Sequence, residues 1–343
     1  MKIAVFMSNS PTSGWNMGHG IVNTLRRMGH TVLSVPTPTE REASDQVIAA
    51  VKRSMPPIEV LKAQDAIIVS GPEHISPWID LCYGKQPWKE IDVPKACWLH
   101  ESCTREDYSI EFDGIKWCGN EWFFPAIQDA EFHDQEMFAA GQSHFLPFGV
   151  DTEIFRSGGE EWMHTEKRFD VGFLGLLYPK RHVFLRALNQ HKHPPIAIGM
   201  CAIQDLRGYD WEGSMRLLAS NTRECKIFFN LPSMSRLLVA KVFEVMACGT
   251  FLLTPLIGDG RGAEQNMKLF ESGKHLVYYS PSNMPFTAQL LRDWVSPEKD
   301  AERQKIAEAG CREVHAKHNL KIRLEELLAK GHWTKVDVKE SVQ

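Results

Sequence analysis

Short apolar runs that end in a glycine-containing loop and give way to helical periodicity appear at two places in this chain, and that pattern leaves few folds open. Residues 2–7 (KIAVFM) run into the loop SNSPTSGWNMGHG, after which Ile21, Val22, Leu25 and Met28 recur at helical spacing and Gly29 closes the segment. TVLSVP, AIIVS (66–70) and KACWLH (95–100) read as further strands, with a helix-compatible stretch at 41–54. A strand at 115–118, a helix at about 125–140 and a strand at 143–148 complete this half. The sequence starts over after a polar, glycine-containing stretch at 156–168. FDVGFLG (169–175) is a strand ending in glycine, 178–190 a helix, and 195–200 and 225–232 strands. LVAKVFEVMACG (238–249) is a helix stopping at Gly249, followed by strands in TFLLTP and 275–280 and a long charged helical region at 300–330. Strands alternating with helices give parallel sheets. The expected fold class is therefore α/β: two Rossmann-like domains facing each other across a cleft. The expected domains are 1–155 and 165–320, with 321–343 a helix or tail returning to the first.

Composition narrows the function classes. A chain of 343 residues is long enough for two cores. The eight cysteines contain no CxxC pair, which argues against a disulfide scaffold and a structural zinc. No apolar run reaches the roughly 20 residues of a membrane span, and the opening lacks a signal-peptide pattern, so a cytoplasmic protein is expected. The net charge of −4 is unevenly spread: residues 1–160 hold 13 Lys and Arg against 22 Asp and Glu, and the rest 26 against 21. The second half suits an anionic ligand. The acidic first half shows no basic face of the kind that nucleic acid requires.

Ligands in open α/β sheets bind beyond the carboxyl ends of strands, where helix N-termini present N–H groups. The first such loop carries Gly14, Gly18 and Gly20, which do not form a GxGxxG fingerprint, and no P-loop occurs. In the second half Gly175 ends a strand, and Lys180 with Arg181 opens the next helix, where a guanidinium fork and an ammonium suit a diphosphate. His100, ending a strand in the first half, suits a general base for an acceptor hydroxyl, with Glu101 the alternative. The histidines show no HExxH spacing, so no metal is implied. Trp15, Trp78, Trp88 and Trp98 cluster in the first half, where rings either stack on a sugar or fill the core, the core being the simpler account.

Four segments, in order, carry a family likeness. KVFEVMACGTFLLT (241–254), LPFGVDTEIF (146–155), FDVGFLGLLYPKRHVFL (169–185) and IAEAGCREVHAKHNLKIRLEELL (306–328) resemble segments of GT-B glycosyltransferases of the glycosyltransferase-4 kind, nearest to the CgeB-like (spore maturation protein) members. The resemblance implies transfer of a sugar from a nucleotide-sugar donor, a UDP- or GDP-sugar, to a hydroxyl acceptor with retention of configuration and without a metal or other cofactor. It places Glu244 on the donor ribose and Lys180 and Arg181 on the diphosphate. The family's first glutamate, eight residues before Glu244, is replaced here by Arg236, which adds a further cation to the same locus; Lys241 stands where CgeB-like members carry an arginine. A polysaccharide, a protein, a small molecule or a modified nucleobase in phage DNA all fit as acceptor. An epimerase or hydrolase of the same fold, using His100 and Glu101, and a catalytically silent binding subunit, suggested by Arg236, are the rival readings.

Overall fold

The computed structural model describes residues 1–9, 17–38, 44–84, 87–88, 90–98, 123–127, 144–156, 167–175, 177–191, 198–201, 210–232, 238–257 and 267–330. These fall into two compact units. The first gathers the described residues up to 147 together with 321–330, and the second those from 148 to 320. Residues 148–155, which the sequence reading assigned to the first domain, thus group with the second unit. There Phe148 sets its ring 6.5 Å from Phe243.

The first unit is built on strands β1 (Lys2–Ser8), β2 (Thr31–Thr37), β3 (Ala66–Ser70), β4 (Lys95–Trp98), β5 (Phe123–Ile127) and β6 (His144–Phe145). They form one sheet in the order β2-β1-β3-β4-β5-β6, parallel throughout. Helices α1 (Gly18–Arg27), α2 (Asp45–Ser54), α3 (Ile58–Lys62) and α4 (Pro72–Tyr83) connect the first four strands. β1 and β3 are nearly continuous runs of buried residues, the signature of strands covered on both faces. Trp78, Trp88 and Trp98 are buried, and Trp88 packs edge-on against Phe6 with centroids 5.4 Å apart. These three tryptophans are core, not a stacking platform; Trp15 lies outside the described residues. β5 corrects the sequence reading, which began a helix at about 125. Phe123 and Phe124 favour a strand, and pairing of Ala96 with Phe124 and of Cys97 with Pro125 fixes it. The strand expected at 115–118 and the rest of that helix lie outside the described residues.

The second unit repeats the plan. β7 (Phe169–Leu174), β8 (Ile198–Cys201), β9 (Cys225–Phe229), β10 (Phe251–Pro255) and β11 (Val277–Tyr279) form a parallel sheet in the order β11-β10-β9-β7-β8. Counted from the first strand of each unit, the first sheet reads 2-1-3-4-5-6 and the second 2-1-3-4-5, the doubly wound order in which the winding reverses between strands 1 and 3. The helices are α5 (Pro179–Gln190), α6 (Trp211–Arg223), α7 (Ala240–Ala247), α8 (Met284–Val295) and α9 (Asp300–Lys317), with α10 (Leu320–Lys330) leading back to the first unit. The sequence reading passed over α6 and α8, although both carry legible starts: Asp210 accepts from the Gly213 amide at 2.7 Å and Asn283 from the Phe286 amide at 3.2 Å.

The single helical region expected at 300–330 is two helices. Between them Asn319 forms a parallel bridge with Val150; the Val150 amide donates to the His318 carbonyl at 3.1 Å and the Leu320 amide to the Val150 carbonyl at 2.9 Å. The buried His318 ring packs on Phe270 and Phe243, at 4.9 and 5.6 Å between centroids. A backbone that bonds to a segment 169 positions away cannot also close its own helix ladder, so the helix stops.

Candidate functional site

In the second unit the winding reverses between β7 and β9, so the loops leaving these two strands flank the crevice where such sheets take ligands. Gly175, immediately after β7, holds φ at +155°, and a Cβ built there meets the Phe173 ring at 3.0 Å and Arg181 Nη1 at 3.5 Å. A side chain there would strain the backbone and press on the Phe173 ring, so the position favours glycine. The turn leads to Tyr178 and then to α5, with Pro179 at its first position.

Lys180 and Arg181 are adjacent in sequence and differ in setting. Lys180 is exposed on the first turn of α5. Arg181 lies over the Tyr178 and Phe173 rings, its guanidinium carbon 4.4 and 5.0 Å from their centroids. Its Nε donates to the Pro232 carbonyl at 3.1 Å, and Tyr178 Oη donates to that same carbonyl at 2.7 Å. Burial draws the Arg181 guanidinium below its ordinary pKa, an effect opposed by Tyr178 and Tyr279. One carbonyl beyond β9 therefore ties together both sides of the reversal. A second tie lies deeper: Tyr279 Oη donates to the Asn230 carbonyl at 2.8 Å, and Asn230 Nδ2 donates to Thr254 Oγ1 at 3.0 Å. Burial holds the Tyr279 hydroxyl well above its usual pKa, so it remains a donor. Tyr178, Asn230 and Tyr279 were missed by sequence reasoning. The available signal was an asparagine ending the apolar run IFFN (227–230).

Beyond the same loop, α7 buries nearly its whole surface, as an all-apolar helix would. Yet it contains Glu244, only 6% exposed. Lys241 Nζ forms an ion pair with Glu244 Oε2 at 2.8 Å, and no other described group donates to this buried oxygen. Glu244 is thus no surface glutamate. Among the described residues no side chain caps α7, whose first turn carries Lys241 and no acid. The structure brings Gly175 together with Arg181, and Lys241 with Glu244. Gly14, His100, Glu101 and Arg236 lie outside the described residues, as does the loop 233–237. Among the described residues no three His, Cys, Asp or Glu side chains converge as metal ligands, and no helix is long and apolar enough to cross a membrane.

Residues 181–329 match the family described as Glycosyl transferase-like. No curated protein matches the chain. Among solved structures, sucrose-phosphate synthase from Thermosynechococcus elongatus is 12% identical with a TM-score of 0.65, over 96% of this chain and 98% of that one. The Anabaena protein HepE, solved with UDP and glucose, is 12% identical with a TM-score of 0.64, over 96% and 99%. α,α-Trehalose 6-phosphate synthase from Burkholderia multivorans is 12% identical with a TM-score of 0.60, over 96% and 95%. At such identities the likeness defines the fold, which is GT-B.

Proposed function

We propose that this chain is a glycosyltransferase, of the CgeB-like kind, that transfers a sugar from a UDP- or GDP-sugar to a hydroxyl acceptor with retention of configuration and without a metal. The observation that carries the reading is the buried Glu244 carboxylate beside Lys241, on the helix that follows the β9 loop. A carboxylate only accepts hydrogen bonds, so an oxygen there that no described group but Lys241 approaches as a donor suits a ligand that brings hydroxyls, as a ribose does. Arg181, fixed by two rings and a carbonyl at the neighbouring strand end, then supplies charge to the diphosphate, with Lys180 and the uncapped start of α7 beside it. The HepE structures with UDP and UDP-glucose support a nucleotide of this type on the same fold.

In the reaction the glycosidic bond breaks and negative charge develops on the departing nucleotide. Cations already in place stabilise that charge more than they stabilise the ground state. His100, with Glu101 as its alternate, takes the acceptor proton. The acceptor is a polysaccharide, a protein, a small molecule or a modified nucleobase in phage DNA.

Calorimetric titration with UDP and GDP tests the reading. One of them is expected to bind, and Glu244→Ala to weaken it by about 1.5–3 kcal/mol, the worth of hydrogen bonds to a charged group. Binding of neither nucleotide by the parent chain, or unchanged affinity in the variant, overturns it. Incubation with labelled UDP-glucose or a labelled GDP-sugar, with and without acceptor, then separates transfer from release of free sugar and from binding alone.

A further inference from the structure

At the opposite edge of the second sheet, beside the amino ends of its strands, lies a cavity of about 210 Å³. Lys167, Lys226, Gly249, Phe251 and one face of α9, Asp300, Arg303, Gln304 and Ala307, line it, and all belong to the second unit. None of these residues is used by the site described above. The cavity is smaller than the roughly 300 Å³ at which pockets begin to hold drug-sized ligands, so a nucleotide is excluded on size. Its lining carries three cations and one carboxylate.

The compensation of those charges is uneven. Lys226 is paired at 2.6 Å with Asp170 outside the lining, and Arg303 with Asp300 and the carbonyls of Trp294 and Ser296. Lys167 has no carboxylate partner among the described residues: its Nζ donates to the Arg223 carbonyl at 2.6 Å, at the end of α6. Burial lowers its pKa, and Arg223 adds to the effect. Capping a carbonyl uses one of the three hydrogens of an ammonium and requires no open volume beside it. A cavity with net positive lining and unused donors on Lys167 and Lys226 suits one chemistry.

We propose that this cavity binds a small tetrahedral oxyanion of the phosphate class, at a site separate from the nucleotide locus and independent of the function proposed above. Lys167 and Lys226 would contact it, Arg303 would add charge from the helix side, and Asp300 would oppose it.

Titration calorimetry of the full chain with inorganic phosphate, at constant ionic strength set with chloride, tests this. Saturable binding in the millimolar range or tighter is expected. Lys226→Gln, which keeps a polar side chain at a partly exposed position, is expected to weaken it about tenfold, or about 1.4 kcal/mol. Asp300→Asn is expected to tighten it, because the one carboxylate among the described lining residues is removed. A purely structural role for these side chains gives no tightening. Absence of saturable binding in the parent, unchanged affinity in Lys226→Gln, or Asp300→Asn binding no tighter than the parent overturns the proposal.

Discussion

Replacing Lys241 by Met tests how Glu244 is held, and its cost follows from the geometry. The pair lies 2.8 Å apart, with the two side chains 18% and 7% exposed. At the effective dielectric of about 20 that describes protein sites, opposite charges at this separation attract by about 6 kcal/mol. Desolvation of both groups cancels most of that, so the intact pair adds little net stability. Removing one partner is different, because the carboxylate keeps its desolvation cost and loses its compensation; such changes cost about 3–5 kcal/mol. Water reaching the partly exposed lysine end places Lys241→Met near the lower figure. Because the chain has two units, a global unfolding curve mixes them, and amide hydrogen exchange on peptides covering α7 and β10 reads the second unit directly. Protection there is expected to fall by about two orders of magnitude, each tenfold step being about 1.4 kcal/mol. The double variant Lys241→Met/Glu244→Gln is expected to recover most of the loss, since no bare charge remains buried. A change in Lys241→Met below about threefold, equivalent to less than 1 kcal/mol and typical of an exposed ion pair, refutes the reasoning.

Three further outcomes are expected. Arg181→Lys keeps the charge and loses the planar group stacked between Phe173 and Tyr178, so a nucleoside diphosphate should lose affinity while the bare nucleoside does not; equal losses in calorimetry point instead to a folding defect. Gly310→Ala, which at an open helical position gains about 1 kcal/mol, places a methyl within contact distance of the His275 carbonyl oxygen and 2.9 Å from Met246 Cε, and should destabilise the second unit by about 1–3 kcal/mol; exchange protection equal to or above the parent's refutes this. His275 is held below its ordinary pKa by burial, and its Nδ1 accepts the Glu271 amide at 3.2 Å, so protonation removes a native hydrogen bond. With the folded pKa below the unfolded value of 6.5, the unfolded chain binds more protons as pH falls from about 6.5, and stability should decline through that window. His275→Asn should flatten this part of the pH profile, and an unchanged profile counts against the assignment.

Periodicity alone located β1, β3, β7, β9, β10 and α7, because each is a local run whose burial pattern is written into its own residues. A strand-ending glycine and a cationic helix start also marked Gly175, Lys180 and Arg181 without coordinates, whereas Lys241 and Glu244 were marked by the family resemblance. The sequence left open whether Glu244 was solvated; packing of α7 on every side buried it and set Lys241 against it. Adjacent residues Lys180 and Arg181 looked equivalent as letters, whereas the Pro232 carbonyl, 51 positions from Arg181, separated their settings. The break between α9 and α10 depended on Val150, and the strand at 123–127 on pairing with β4. For Arg181, the α9–α10 break and β5 the deciding partner lies far along the chain. Local propensity is fixed by a few neighbours and can be read from them, whereas a hydrogen bond or ion pair between distant segments exists only once the sheet order has brought those segments side by side.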